Sequence, residues 1–164
     1  MEPLESLRQV LAQRTMLVGI GNPLRGDDGV GPYIVELVRR RCASPRLEFL
    51  NVEDVPENFA FRIAAGEARN VVFVDAVIAG RAPEGTVLFA PLDEFDEVGE
   101  TASTHKLALK LSGRVLEDAG KKVYLLGIVP KTTAVGAKLT PEVRRTALRL
   151  GRLILSMSQG PEAP

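Results

Sequence analysis

Short runs of apolar residues alternate along this chain with segments whose apolar positions recur every three or four residues. The runs predict β-strands at residues 15–20, 47–52, 71–75, 86–89 and 123–129. Because these runs are nearly continuous in Val, Ile and Leu, they are typical of parallel strands that are buried on both faces.

The segments between the runs predict amphipathic helices. One helix has Pro32 in its first turn, Pro56 opens a second, and Thr140 precedes the last. Thr104 is the expected N-cap of a third helix, which Gly120 ends. The apolar stripes that identify three of these helices are Val30, Ile34, Leu37 and Val38; Leu107, Leu111 and Val115; and Val143, Ala147, Leu150, Ile154 and Met157.

Strands that alternate with helices predict a three-layer α/β/α sandwich around a mostly parallel, twisted sheet. The 164 residues fit a single domain, in which residues 1–14 would add an N-terminal helix and residues 159–164 a frayed tail. In such sheets ligands bind beyond the carboxyl ends of the strands, so the residues that follow each strand are the place to look for function.

Composition excludes several classes of function. Lys plus Arg and Asp plus Glu both number 21, so no basic surplus is present to attract nucleic acid or anionic lipid. One cysteine and one histidine exclude an internal disulfide and any zinc site that needs two histidines. No apolar run reaches the roughly 18 residues of a membrane span, and the acidic start does not resemble a signal peptide. We therefore expect a cytoplasmic protein with neither a nucleic-acid nor a membrane partner.

A glycine-rich segment, GIGNPLRGDDGVG at residues 19–31, follows the first predicted strand and leads into a helix. It departs from the dinucleotide-binding fingerprint, which would need a glycine in place of Leu24. It departs from a phosphate-binding loop as well, because Asp27 and Asp28 stand where Lys and Ser or Thr are needed, and carboxylates repel phosphate. The segment therefore argues against a nucleotide site.

The adjacent acids Asp27 and Asp28 leave two interpretations open. An Asp at a helix N-terminus is commonly a cap, so replacing Asp27 would then cost about 1 kcal/mol. Capping explains one acid well but explains the pair, with glycines around it, less well. The helix dipole keeps such a carboxylate ionised, and an ionised carboxylate on a glycine-lined loop is a good ligand for a cation.

Two further residues with ligand chemistry follow later in the chain. Asp75 ends the third predicted strand, where an acid is as typical of a turn as of a binding site. A lone histidine such as His105 is more often structural, but at the start of a helix the dipole and Lys106 favour its neutral, metal-binding form. If the strands are ordered as predicted, Asp28, Asp75 and His105 share one edge of the sheet. They would form an incomplete site for a divalent transition metal, which water or a partner would complete.

The segment at residues 19–32 resembles the N-terminal signature of the hydrogenase maturation proteases, endopeptidases that trim the C-terminus of the [NiFe]-hydrogenase large subunit. Similar motifs follow in the same order, with VPENF at residues 55–59, FVDA at 73–76, STHK at 103–106 and LGIVP at 126–130. The resemblance covers about residues 15–158. The PEN segment is most similar to the branch that processes energy-converting and formate-linked hydrogenases.

The resemblance implies an α/β/α sandwich in which Asp28, Asp75 and His105 contact nickel. That nickel would belong to the substrate, a nickel-loaded large-subunit precursor, and thiolates of the precursor would complete its coordination. Hydrolysis of one peptide bond would remove the C-terminal extension. Two ways to activate the attacking water stay open, namely Asp28 or Asp27 as general base, and a water polarised by the metal.

We expect Gly21, Asn22, Asp27, Glu53 and Asp54 to line the substrate-binding cleft. The last two mark a departure from the family, which usually has a glycine-bearing turn after the second strand, whereas this chain has NVED at residues 51–54. Their carboxylates either add negative charge to the cleft or indicate a different docking mode for the substrate.

Two other functions remain open from the sequence. The same three ligands would serve a non-catalytic nickel-recognition or checkpoint module that binds the immature large subunit without cutting it. A metal hydrolase that acts on a small molecule is the third interpretation, and it predicts that the isolated protein retains a metal.

Overall fold

Helices and strands alternate throughout the computed structural model of the chain, which describes residues 2–97, 100–101 and 106–164. In chain order, the helices and strands are α1 (Pro3–Leu11), β1 (Thr15–Gly19), α2 (Val30–Arg41), β2 (Leu47–Asn51), α3 (Ala60–Ala64), β3 (Asn70–Ile78), β4 (Val87–Pro91), β5 (Glu100–Thr101), α4 (Lys106–Asp118), β6 (Lys122–Ile128) and α5 (Pro141–Ser158). Short 3-10 helices cover Gly26–Gly29, Pro56–Asn58 and Leu92–Glu97. None of the helices in the described ranges has the length and hydropathy that a membrane span requires.

The strands form a mixed sheet in the order β2-β1-β3-β6-β4. β1 pairs in parallel with β2 and β3, and β3 pairs in parallel with β6. Only the edge strand β4 is antiparallel within this order, against β6. The short strand β5 pairs with Val77 and Ile78 of β3, beyond the point where β1 ends. The mostly parallel sheet predicted from the sequence is confirmed.

The two faces of the sheet bury separate apolar clusters because side chains alternate along each strand. On β3, Val72 and Val74 contribute to the cluster that includes residues of α1, α2 and α5. Phe73 and Val77 contribute to the opposite cluster, which includes residues of α3 and α4. The fold is therefore the predicted three-layer sandwich. Asp75 alternates with Phe73 and Val77, so its side chain belongs to the α3–α4 side.

The buried face of α4 differs from the predicted one. Leu107 and Leu111 are 67% and 52% exposed, so the prediction of their stripe as the packing face is wrong. The helix buries four other residues, Leu109, Ser112, Gly113 and Leu116. A Cβ atom at Gly113 would lie 2.5 Å from Leu92 Cδ2, so Leu92 packs directly on the helix backbone. This close approach turns the small residues of α4 inward.

Several element boundaries also differ from the predictions. Pro56 opens a short 3-10 helix, and α3 begins only at Ala60. β5 was not predicted, and the expected N-cap Thr104 lies outside the described residues. Gly120 does follow the end of α4 with φ of 84°, the left-handed conformation of a helix stop.

The N-terminal and C-terminal segments of the chain also pack on the central sheet or on each other. The additional N-terminal helix is present as α1, which buries Leu7, Val10 and Leu11. The predicted apolar stripe of α5 is buried along its length. The C-terminal tail has no regular secondary structure after Ser158, but the Ala163 N–H donates a hydrogen bond to the carbonyl of Ala12.

Candidate functional site

A glycine-rich loop, residues 20–29, leaves the carboxyl end of β1 and leads into α2. Gly21 has φ of 134°, and a Cβ atom there would overlap the carbonyl oxygen of Asp28. The Gly21 N–H donates to the carbonyl of Glu53 at 2.9 Å, which ties the loop to the segment after β2. Glycine is thus required at residue 21 because the loop folds back onto Asp28.

Asp28 is buried within this loop, with 4% of its surface exposed. Its Oδ2 atom accepts a hydrogen bond from the Asn22 N–H at 2.8 Å. Its Oδ1 atom is buried and has no hydrogen-bond partner among the described residues. A buried carboxylate oxygen without a donor is costly, and a cation would compensate for it. Asp28 therefore fits the predicted role of a metal ligand.

Asp75 is fully buried at the same edge of the sheet. Gly19, the last residue of β1, is in register with Val74, and the residues that follow these two in the chain are Ile20 and Asp75. Asp75 is therefore level with Ile20, one residue before Gly21. The Asp28 carboxyl group lies beside Gly21, because a Cβ atom at Gly21 would be 3.7 Å from Asp28 Cγ. Its Oδ1 atom accepts a hydrogen bond from the Ala76 N–H at 2.8 Å. The two acids share one edge, although Asp75 does not end its strand, because β3 continues to Ile78.

The third expected ligand, His105, lies outside the described residues, so its place in the site stays a prediction. α4 begins directly after it, at Lys106. Within the described ranges, no group of three or more His, Cys, Asp or Glu side chains is arranged to hold a metal ion. The described part of the site consequently offers two acids.

Asp27 has a structural role that the sequence did not predict. Its fully buried carboxylate accepts hydrogen bonds from the N–H groups of Lys131 and Thr132 at 2.9 and 3.2 Å. It also accepts two from Thr140, one from the N–H and one from the hydroxyl, both at 2.8 Å. Neither the 3-10 helix at Gly26–Gly29 nor α2 has a side-chain cap, so the expected capping role is wrong. The carboxylate faces the interior rather than the surface of a cleft.

These bonds hold the segment between β6 and α5, residues 129–140, against the glycine-rich loop; we call this segment the brace. Gly26 N–H donates to the Ala137 carbonyl at 3.0 Å, and Asp27 N–H donates to the Thr132 carbonyl at 2.8 Å. Gly26 has φ of 56°, and a Cβ atom there would lie 2.7 Å from the Thr132 carbonyl oxygen. The brace fixes the backbone on which Asp28 is carried.

The remaining expected cleft residues lie after β2. Val52 N–H donates to the Gly19 carbonyl at 3.0 Å, which keeps this turn beside the glycine-rich loop. Glu53 and Asp54 are both exposed. Glu53 has φ of 53°, a left-handed conformation that is uncommon outside glycine. Glu53 therefore has a backbone conformation that glycine adopts more readily.

A groove of about 630 Å³ adjoins the glycine-rich loop on the side of α2. It is lined by Pro23, Gly26, Gly29, Pro32, Tyr33, Glu36, Leu37, Arg40, Asn51 and Leu139. Hydrogen bonds from Arg39 and then Arg40 lower the pKa of Glu36 from its usual 4.5 to about 2. The acid on this groove is thus ionised and paired at neutral pH.

Comparison with known proteins identifies the family and supports the fold. The sequence model of the HycI family, described as hydrogenase maturation protease, matches residues 32–157. The Hydrogenase 3 maturation protease of Escherichia coli K12 is 27% identical over 134 residues, which cover 79% of this chain and 81% of the relative. The crystal structure of a [NiFe] hydrogenase maturation protease HycI from Thermococcus kodakarensis superposes with a TM-score of 0.77 at 29% identity, covering 94% and 99% of the two chains. The maturating endopeptidase HybD of E. coli has the same fold, with a TM-score of 0.73 at 22% identity over 88% and 91%.

Proposed function

This chain belongs to the hydrogenase maturation protease family, and we propose that it removes the C-terminal extension of a nickel-loaded [NiFe]-hydrogenase large-subunit precursor. Proteins of this kind are named maturation proteases and endopeptidases, which supports peptide-bond hydrolysis. The same names do not favour a checkpoint module that binds the immature subunit without cutting it.

The observation that carries the proposal is the buried Oδ1 atom of Asp28 at the edge that also holds Asp75. Two carboxylates attract a divalent cation but are too few to retain one tightly. A nickel ion that arrives within the precursor would meet these acids together with His105, and the precursor's own ligands would complete its coordination. Nickel is in this view part of the substrate, and it leaves with the product.

Peptide hydrolysis needs a group that takes a proton from the attacking water and a proton donor for the leaving amine. Asp27 is a poor base, because its carboxylate already accepts four hydrogen bonds and would lose several of them on protonation. Asp28 Oδ1 and a water polarised by the nickel remain the two candidates. Both place the attacking water beside Asp28.

The partner in this proposal is the large-subunit precursor of a [NiFe]-hydrogenase. We place the reaction in the cytoplasm. The single cysteine, Cys42, allows no internal disulfide, which is usual in a reducing compartment.

The test is to incubate the protein with nickel-loaded and with nickel-free precursor and to follow the precursor's C-terminus by mass spectrometry. We expect truncation of the nickel-loaded form alone, and none with Asp28→Asn as the matched control. Equal cleavage of both forms would refute nickel as the recognition mark. An intact subunit in a stable complex would refute the protease in favour of the checkpoint module. Nickel retained after mild dialysis would instead indicate a resident metal.

A further inference from the structure

Two large apolar side chains project into solvent beside the buried acids. Leu24, in the glycine-rich loop, is 73% exposed, and Val135, in the brace, is 80% exposed. The Gly136 N–H donates to the Leu24 carbonyl at 2.8 Å, so the segment that carries Val135 adjoins the segment that carries Leu24. Two large, exposed apolar side chains on adjoining segments make this surface a candidate for a protein contact.

Leu24 is also linked to Asp28 through Asn22. The Leu24 N–H donates to Asn22 Oδ1 at 2.9 Å, and the Asn22 N–H donates to Asp28 Oδ2 at 2.8 Å. Two hydrogen bonds therefore separate the backbone of Leu24 from the carboxylate that is proposed to contact nickel. Leu24 and Asp28 are therefore held in one hydrogen-bonded loop.

The exposed charges of the glycine-rich loop and the brace are basic, whereas the adjoining turn after β2 exposes Glu53 and Asp54. The glycine-rich loop and the brace contain three cations, Arg25, Lys131 and Lys138, all exposed, and their only acids are the buried Asp27 and Asp28. Lys131 lies 4.0 Å from Glu142, which offsets part of its charge. The chain as a whole has a formal net charge of zero, so this basic region is local. It complements a partner surface that combines apolar side chains with carboxylates.

We propose that Leu24, Val135, Arg25 and Lys138 form a docking rim for the large-subunit precursor, separate from the contacts to nickel. The inference rests on the proposed function, because it assigns that precursor as the occupant. A second copy of this chain is a poorer occupant, since it would cover the edge that the precursor must reach. The rim adds affinity and orients the precursor, and it takes no part in bond cleavage.

The experiment compares the wild-type protein with the double variant Leu24→Ser/Val135→Ser. Binding of purified, nickel-loaded large-subunit precursor is measured by biolayer interferometry, and the cleavage rate at saturating precursor is measured separately. We expect the dissociation constant to rise at least tenfold while kcat is unchanged, because burial of two apolar side chains is lost. The matched control is Leu4→Ser, which alters a 51% exposed leucine on α1 and should bind as the wild type does.

A charge variant tests the basic part of the rim. Lys138→Glu should slow association severalfold at low salt, and the difference should shrink at high salt because ions screen exposed charges. Thermal melting of all variants verifies that they fold, as expected for substitutions at exposed positions.

The outcomes separate this inference from the proposed function. Binding of the double variant as tight as that of the wild type, or a fall in kcat with unchanged affinity, overturns the docking rim. So does a wild-type dimer in sedimentation that the double variant abolishes while precursor binding is retained. A wild-type protein that binds the precursor through the rim but leaves it uncut overturns the proposed function alone. A wild-type protein that does not bind the precursor overturns both.

Discussion

Thr140 donates two hydrogen bonds to the carboxylate of Asp27, from its backbone N–H to Oδ1 and from its hydroxyl to Oδ2, each at 2.8 Å. Thr140 occupies the N-cap position of α5, yet its side chain forms no cap hydrogen bond there. The hydroxyl instead joins the start of α5 to a loop that is 113 residues away in the sequence.

Asp27→Asn should destabilise the protein by roughly 3 kcal/mol, because the amide group cannot accept all four hydrogen bonds and buried donors lose their partner. This exceeds the cost of a lost helix cap. Thr140→Val removes only the hydroxyl bond and should cost about 1 kcal/mol. Urea unfolding measures both. An Asp27→Asn variant no less stable than Thr140→Val would contradict the assigned role of the carboxylate.

Asp28→Asn and Asp75→Asn should each lower the rate of precursor processing at least about 100-fold, since changes even in the outer shell of metal sites cost roughly 10–100-fold. Both variants should keep the circular dichroism spectrum of the wild type, because the amide has the shape of the carboxylate. His105→Ala is expected to have the same effect on processing. Wild-type activity in any of the three would remove that residue from the site.

Glu53→Gly should stabilise the protein by about 0.5–1 kcal/mol, because glycine adopts positive φ freely and the relief exceeds its larger entropy loss on folding. Glu53→Ala retains a β-carbon and should give no such gain, so it is the matched control. If the Glu53 carboxylate also contacts the precursor, both variants lose affinity for it equally. A Glu53→Gly variant less stable than Glu53→Ala in urea would contradict the strain argument.

The Glu36 carboxylate should contribute to stability in a pH-dependent way. Its pKa is about 2 in the folded protein and 4.5 ordinarily, so the contribution is present above pH 4.5 and is lost as the pH falls towards 2. The melting temperature of Glu36→Gln, compared with that of the wild type, should therefore differ most at pH 7 and least near pH 2. Salt should reduce the difference at pH 7, because the Arg39 and Arg40 side chains that pair with Glu36 are exposed. A difference that persisted at pH 2 would exclude the ion pairs as its cause.

Much of the fold could be predicted from periodicity alone. The runs that became β1, β3 and β6 are mostly buried, and the stripe of α5 is buried as predicted, because local pattern and tertiary burial agree there. β2 lies at the edge of the sheet and exposes Glu48 and Asn51, so the prediction of burial on both faces is wrong for this strand. α4 is the exception, because its packing depends on Leu92 meeting Gly113. The apolar periodicity of the α4 sequence cannot predict that contact, because Leu92 lies outside the helix.

The candidate site also contains residues that the sequence could predict and one whose role it could not. Asp28 and Asp75 could be singled out because each comes after an apolar run that leads to the edge where parallel strands bind ligands, even though β3 continues beyond Asp75. The role of Asp27 could not be found, because its partners Lys131, Thr132 and Thr140 lie more than 100 residues away. The only sequence signal was that the second acid of the pair had no explanation as a cap.

The hydrogen bonds that join the brace to the glycine-rich loop also affect how a partner protein would bind this loop. Because these bonds fix the loop backbone in the free protein, less conformational entropy should be lost when a partner binds there. The loop that carries Asp28 is therefore expected to keep one conformation before and after a partner binds, so that shape complementarity to this fixed surface, rather than rearrangement, decides which partners fit.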